Sequence, residues 1–173
     1  DLNVTSSGGA VWSGSLKAHS GSVTVQSDSD VYASFVEAGS GISVTSMAGD
    51  ITSDLDISAD NDVTLSAESG SIAIVHALVY GDATLTASDQ IAFRATAGGD
   101  LSVTSTAGAI EVLGGSTGNS AYAAGDILLS ASGGITTNGA IESGASLTLS
   151  GDSIEAANTI TAAGSASLSA WCS

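Results

Sequence analysis

Asp54, Asp56, Asp60 and Asp62 form the densest acidic group of this chain, with Asp50 just ahead of them. Carboxylates crowded in this way supply the hard oxygen donors that calcium takes. Strand alternation would set Asp54 and Asp56 on one face, with Asp60, Asn61 and Asp62 in a corner. The group has neither the EF-hand spacing nor the glycine-rich nonapeptide of calcium-loaded β-rolls, so a solvated acidic surface is the competing reading. Carboxylate pairs also cleave glycosidic bonds, which makes a polysaccharide-active enzyme one alternative for the chain. The other catalytic residue types argue against it. His19 and His76 stand far apart without a serine–acid partnership at characteristic spacing, and no GxSxG, HExxH or P-loop string occurs. Cys172 is the single cysteine and allows no internal disulfide, CxxC pair or thiolate zinc site. The expectation is a protein that is not an enzyme and needs no cofactor, with calcium at the four aspartates as the one candidate ion.

Hydroxyls are the second chemical resource. Thr24, Ser43, Thr64, Thr84, Ser102, Thr148 and Ser167 share one repeating position. Thr5, Gln26, Thr45, Ser66, Thr86, Thr104, Ser130, Ser150 and Ser169 share the position two residues later. Paired outward ranks of threonine on a flat surface resemble an ice-binding face, the sharpest alternative function. Asn3, Gln26 and Leu128 interrupt the ranks, and serine lacks the methyl group such a face uses. Threonine's preference for half-buried pleated surfaces explains the same residues without a ligand. Asn3-Val4-Thr5 is an N-glycosylation sequon.

What positions these groups is a repeat. Nine short apolar-polar-apolar runs start at Leu2, Val23, Ile42, Val63, Ala83, Leu101, Ile127, Leu147 and Ala166, about twenty residues apart. A fixed period of that length is the signature of a solenoid. The alternation within each run is that of a half-buried strand, first and third residues inward. A second apolar position follows at Val11, Val31, Ile51, Ile72, Ile91, Ile110, Ile135 and Ile154. A third, looser one includes Leu16, Phe35-Val36, Leu55 with Ile57, Leu78, Ile141 and Ile160. Gly, Asp and Ser at the corners suit turns. Asp62, Asp82, Asp100 and Asp126 recur at one corner, where stacked carboxylates would repel unless each bonds a turn amide or shares a cation; amide bonding is expected. The spacings predict an all-β, single-domain parallel β-helix of eight to nine coils over 1–173, with a corner insertion at 114–124. Coils stacked at strand spacing would make a rod on the order of 40 Å long.

Composition agrees with a thin core. Aromatic residues are 4% and charged residues 12%, while there are 22 glycines and no proline, so nothing of large volume fills a wide interior. The net charge of −16, with Lys17 and Arg94 the only basic side chains, offers no patch for nucleic acid or an anionic membrane. No apolar stretch approaches the length of a membrane-spanning helix.

The strings Gly-Asp-Ala-Thr-Leu-Thr-Ala (81–87), Gly-Asp-Leu-Ser-Val-Thr-Ser (99–105), Gly-Asp-Ile-Leu-Leu-Ser-Ala-Ser-Gly-Gly-Ile (125–135) and Ala-Ser-Leu-Thr-Leu-Ser-Gly-Asp-Ser-Ile (145–154) resemble the repeats of filamentous haemagglutinin-type exoproteins, the large partners of two-partner secretion systems. The resemblance runs through nearly the whole chain, most clearly over 81–170. It implies a right-handed β-helix, secretion to the extracellular space or the bacterial surface, and a role as an adhesive or scaffolding shaft. The amino-terminal secretion motifs and a toxin-like carboxy-terminal domain are not found, so the match is to a piece of the shaft or to a smaller protein built on the same repeat.

The repeat runs close to both termini without a capping helix, so the outer coils would expose strand edges that pair end to end. Leu2, Val4, Trp12, Leu168, Trp171 and Cys172 are the candidate contacts for such a junction. The partner would be another copy in a filament, or neighbouring repeats of a longer chain. A host-surface or carbohydrate ligand would sit on an exposed face or on the 114–124 insertion.

Overall fold

A computed structural model describes residues 1–115 and 120–171, and Leu55 by its backbone alone. It is an all-β parallel β-solenoid of about eight turns, with successive coils about twenty residues apart. Five-residue strands Leu2–Ser6, Val23–Ser27, Ile42–Ser46, Val63–Ala67, Ala83–Ala87, Leu101–Ser105, Ile127–Ala131, Leu147–Gly151 and Ala166–Ala170 stack in chain order into the first sheet. Each pairs in parallel with the next at matching repeat positions, so Val23, Ile42 and Val63 form one ladder. Apolar side chains thereby stack on apolar ones, each worth about 1.5–3 kcal/mol when buried.

The second sheet has fourteen strands in two columns. One column carries the second apolar position, as in Ile91–Phe93 and Ile110–Val112, and the other the third, as in Val36–Ala38 and Ile141–Ser143. In two coils the columns fuse into the single strands Ile51–Ala59 and Ile72–Val79. Ile74 faces Ser53 but His76 faces Asp56, so Ile51–Ala59 carries one extra residue there. Ile51–Ala59 keeps its alternation through that bulge, with Asp54 and Asp56 both outside, while on Ile72–Val79 the neighbours Val75 and His76 both face out.

In the first-sheet strands the fifth residue also turns inward, a position the sequence pattern did not reveal. Buried Ser27 and Ser46 sit there, and their hydroxyls donate to corner carbonyls of the preceding coil, Gly9 at 2.8 Å and Ser29 at 2.7 Å. Small polar residues thus satisfy buried backbone oxygens without needing water.

Two sequence expectations need correction. Leu78 points outward on Ile72–Val79, and the inward side chains are Ala77 and Val79. The cause is volume. In coils where the first column of the second sheet is large (Ile74, Phe93, Val112), the second begins with alanine (Ala77, Ala95, Ala121). Where the first column is small (Ala33, Ser53), the second begins with Val36 or Ile57. The 114–124 insertion is also shorter than its sequence suggests, because Ala121–Ala123 is a strand paired with Ala95–Ala97. Residues 116–119 lie outside the described part of the chain.

Candidate functional site

Three surfaces present the chemistry, each set by the repeat. At the corner leading into the first sheet, Oδ1 of each aspartate accepts a hydrogen bond from the amide of the equivalent residue one coil on. Asp62 accepts from Asp82 at 2.9 Å, Asp82 from Asp100 at 2.8 Å, Asp100 from Asp126 at 2.7 Å and Asp126 from Ser146 at 2.8 Å. Asp1 does the same for Ser22, and a second relay joins Asp30, Asp50 and Ser71. Amide bonding is therefore what the stacked carboxylates do. It also explains the Gly-Asp corners: a Cβ on Gly81, Gly99 or Gly125 would collide with Oδ1 of Asp62, Asp82 or Asp100.

The second surface is the outer face of the first sheet. It carries Thr24, Thr45, Thr64, Thr84, Thr86, Thr104 and Thr148 in straight ranks along the stack. Of its eighteen outward positions eight are Thr, seven Ser, and the rest Asn3, Gln26 and Leu128, so no charge stands on this face of a chain with net charge −16.

The third surface is the outer side of the second sheet, where the larger polar and aromatic groups gather. Trp12 and Tyr32 are register partners in adjacent coils, and their rings meet at 5.1 Å between centroids, tilted by 32°. The Tyr32 hydroxyl donates to Asp54 Oδ2 and lies 3.3 Å from the Ser34 hydroxyl. Asp56 and His76 Nδ1 are 3.2 Å apart. Lys17 pairs with Glu37 at 3.0 Å and sits 4.6 Å from the centre of the Phe35 ring. Thr52, Ala73 and Ala92 continue the Trp12–Tyr32 rank along the rod. Beside them lies a shallow groove of about 120 Å³ lined by Thr52, Asp54, Ala73, Val75, Ala92 and Leu113.

The four aspartates considered for calcium are dispersed among these surfaces. Asp54 serves Tyr32, Asp56 faces His76, Asp62 belongs to the corner relay, and Asp60 is exposed two residues earlier in the same corner. Among the described residues, no group of three or more His, Cys, Asp or Glu side chains is placed to hold a metal ion.

The junction candidates divide. Leu2 and Val4 pack at the amino-terminal edge of the core, while Leu168 is 52% and Trp171 46% exposed at the other edge. Trp12 sits on the side of the rod, and Cys172 lies outside the described residues. The Trp12–Tyr32–Asp54 group went unseen in the sequence, although Trp12 and Tyr32 are twenty residues apart, one coil, which is the available signal.

Comparison with protein-family models, with curated proteins and with solved structures finds no match. Among the described residues no helix is long and apolar enough to cross a membrane.

Proposed function

We propose that this chain is a stretch of extracellular β-helical shaft, part of a bacterial surface adhesin or of a filament, in which coils continue by end-to-end stacking. The supporting observation is the uninterrupted parallel register of the first sheet, coil on coil. Ala166–Ala170 is exposed along its whole length, and Leu168, whose equivalents Leu149 and Leu129 are buried, is half open to water. Leu2 and Val4 offer the matching edge, since Leu147 and Leu149 stack on Ala166 and Leu168 in the same register that Leu2 and Val4 would use. Further coils stacking there, from the same polypeptide or from a second copy, would meet the same edge chemistry. The secreted, structural and non-enzymatic character of the chain is part of this proposal, supported by the uninterrupted stack and the resemblance of its Gly-Asp corners to exoprotein repeats.

The hydroxyl ranks serve ice binding less well. Serine holds seven of the eighteen positions and carries no methyl group, and Gln26 and Leu128 break the array. The test of the proposal is association of the purified chain, followed by sedimentation and electron microscopy across concentration. The wild type is expected to lengthen into rods of several molecules, and Leu168→Lys to remain single. Single short rods of wild type at every concentration would overturn the filament and leave the shaft of a longer adhesin.

A further inference from the structure

We propose that the side of the rod around Trp12 binds a neutral oligosaccharide, lying along the solenoid axis. Trp12 is 70% exposed, the most open of the large hydrophobic side chains among the described residues, yet it is not loose. Its ring packs on Tyr32, and Tyr32 is held in turn by Asp54 and Ser34. An exposed indole braced on a rigid sheet is what the apolar face of a pyranose stacks against, at little cost in side-chain entropy. The carboxylate of Asp54 and the hydroxyls of Ser34 and Thr52 stand close by, and they are the acceptors and donors that sugar hydroxyls need.

The surface beyond the aromatic pair is shaped for more than one sugar unit. Register places Thr52, Ala73 and Ala92 in line after Tyr32, one per coil. The two alanines leave the groove floor low, and Val75, 45% exposed, and Leu113 border it. Coils repeat at about 4.8 Å, close to the length of one pyranose in an extended chain, so successive units would meet successive coils. Further on the rank turns acidic, with Glu111 bonded by Asn138 at 2.8 Å.

Charge selects the class of glycan. The net charge is −16, and of the two basic side chains Lys17 is already paired with Glu37. A sulphated, sialylated or uronic chain would meet repulsion that a neutral hexose chain does not. The site is on the flank of the rod and does not depend on end-to-end stacking.

The experiment is a screen of the purified chain against an array of neutral and acidic glycans, followed by calorimetric titration of the strongest neutral ligand into the wild type and each variant. Binding to a neutral oligosaccharide is expected, with Trp12→Ala weakening it at least about tenfold and Asp54→Asn weakening it to a lesser degree. Thr64→Val, on the opposite sheet, should bind as the wild type does. Leu168→Lys should also bind as the wild type does, which separates this inference from the association reading. Binding of no glycan, of acidic glycans alone, or equal binding by Trp12→Ala would each overturn it; since Trp12 is largely exposed, unchanged circular dichroism of that variant confirms that folding is not the cause.

Discussion

Asp82 shows how one side chain sets the chemistry of a corner. Its backbone amide donates to Asp62 while its carboxylate accepts from Asp100, so it is a link in a relay rather than an isolated cap. The relay needs an acceptor oxygen and not a charge, and stacked like charges repel at coil spacing. Asp82→Asn is therefore expected to leave stability unchanged or slightly raised, whereas Asp82→Ala, which strands the Asp100 amide, should cost about 1 kcal/mol. Gly99→Ala should cost more than Asp82→Ala, because a methyl there displaces the Asp82 carboxylate and crowds the backbone as well. Urea denaturation midpoints of the three variants give the order, and an Asp82→Asn as damaging as Asp82→Ala would contradict the account.

At the scale of the strand, the second sheet works by shared volume. Phe93 is fully buried and its coil partner Ala95 is small, while Ser53 is small and its coil partner Ile57 is large. Phe93→Ala should cost about 3–5 kcal/mol. Adding Ala95→Leu should recover part of that loss, although Ala95→Leu alone overpacks the coil and destabilises it. Thermal unfolding of both single variants and the double one reads the coupling directly; strict additivity would rule out the exchange of volume. The same exchange marks what could be seen in the sequence. The first-sheet ladders were legible because Val, Ile and Leu alternate with Thr and Ser in most coils, and nothing competes with them. Leu78 was misread because a buried Ile74 already fills that coil, leaving only an alanine-sized space at Ala77, and no single-residue pattern carries that information. Asp54 and Asp56 share one face as strand alternation predicts, whereas the register shift that sets Val75 beside His76 on the outside has no signal in the alternation. The aromatic site was missed for a different reason. Trp12–Tyr32, Lys17–Glu37 and Asp56–His76 are all twenty residues apart. In a solenoid that spacing plays the part that four residues play in a helix, and chemistry sought among near neighbours along the chain passes over it.

At the scale of the whole molecule, the pairing between strands runs coil to coil, down the length of the rod, and so does the carboxylate relay. The core is a column a few side chains across, with a single aromatic residue, Phe93, among its buried hydrophobics. A load applied at the two ends of such a rod falls on its hydrogen bonds one row at a time, as in opening a zipper, and not on many rows together. The molecule would therefore resist weakly and yield in even stages, each coil of about twenty residues paying out roughly 60–65 Å of slack. Single-molecule stretching should record a regular ladder of low-force events at that interval, and one large rupture would show that the coils do not let go separately. A shaft built this way would behave under drag as a shock absorber, lengthening coil by coil and rewinding when the pull eases.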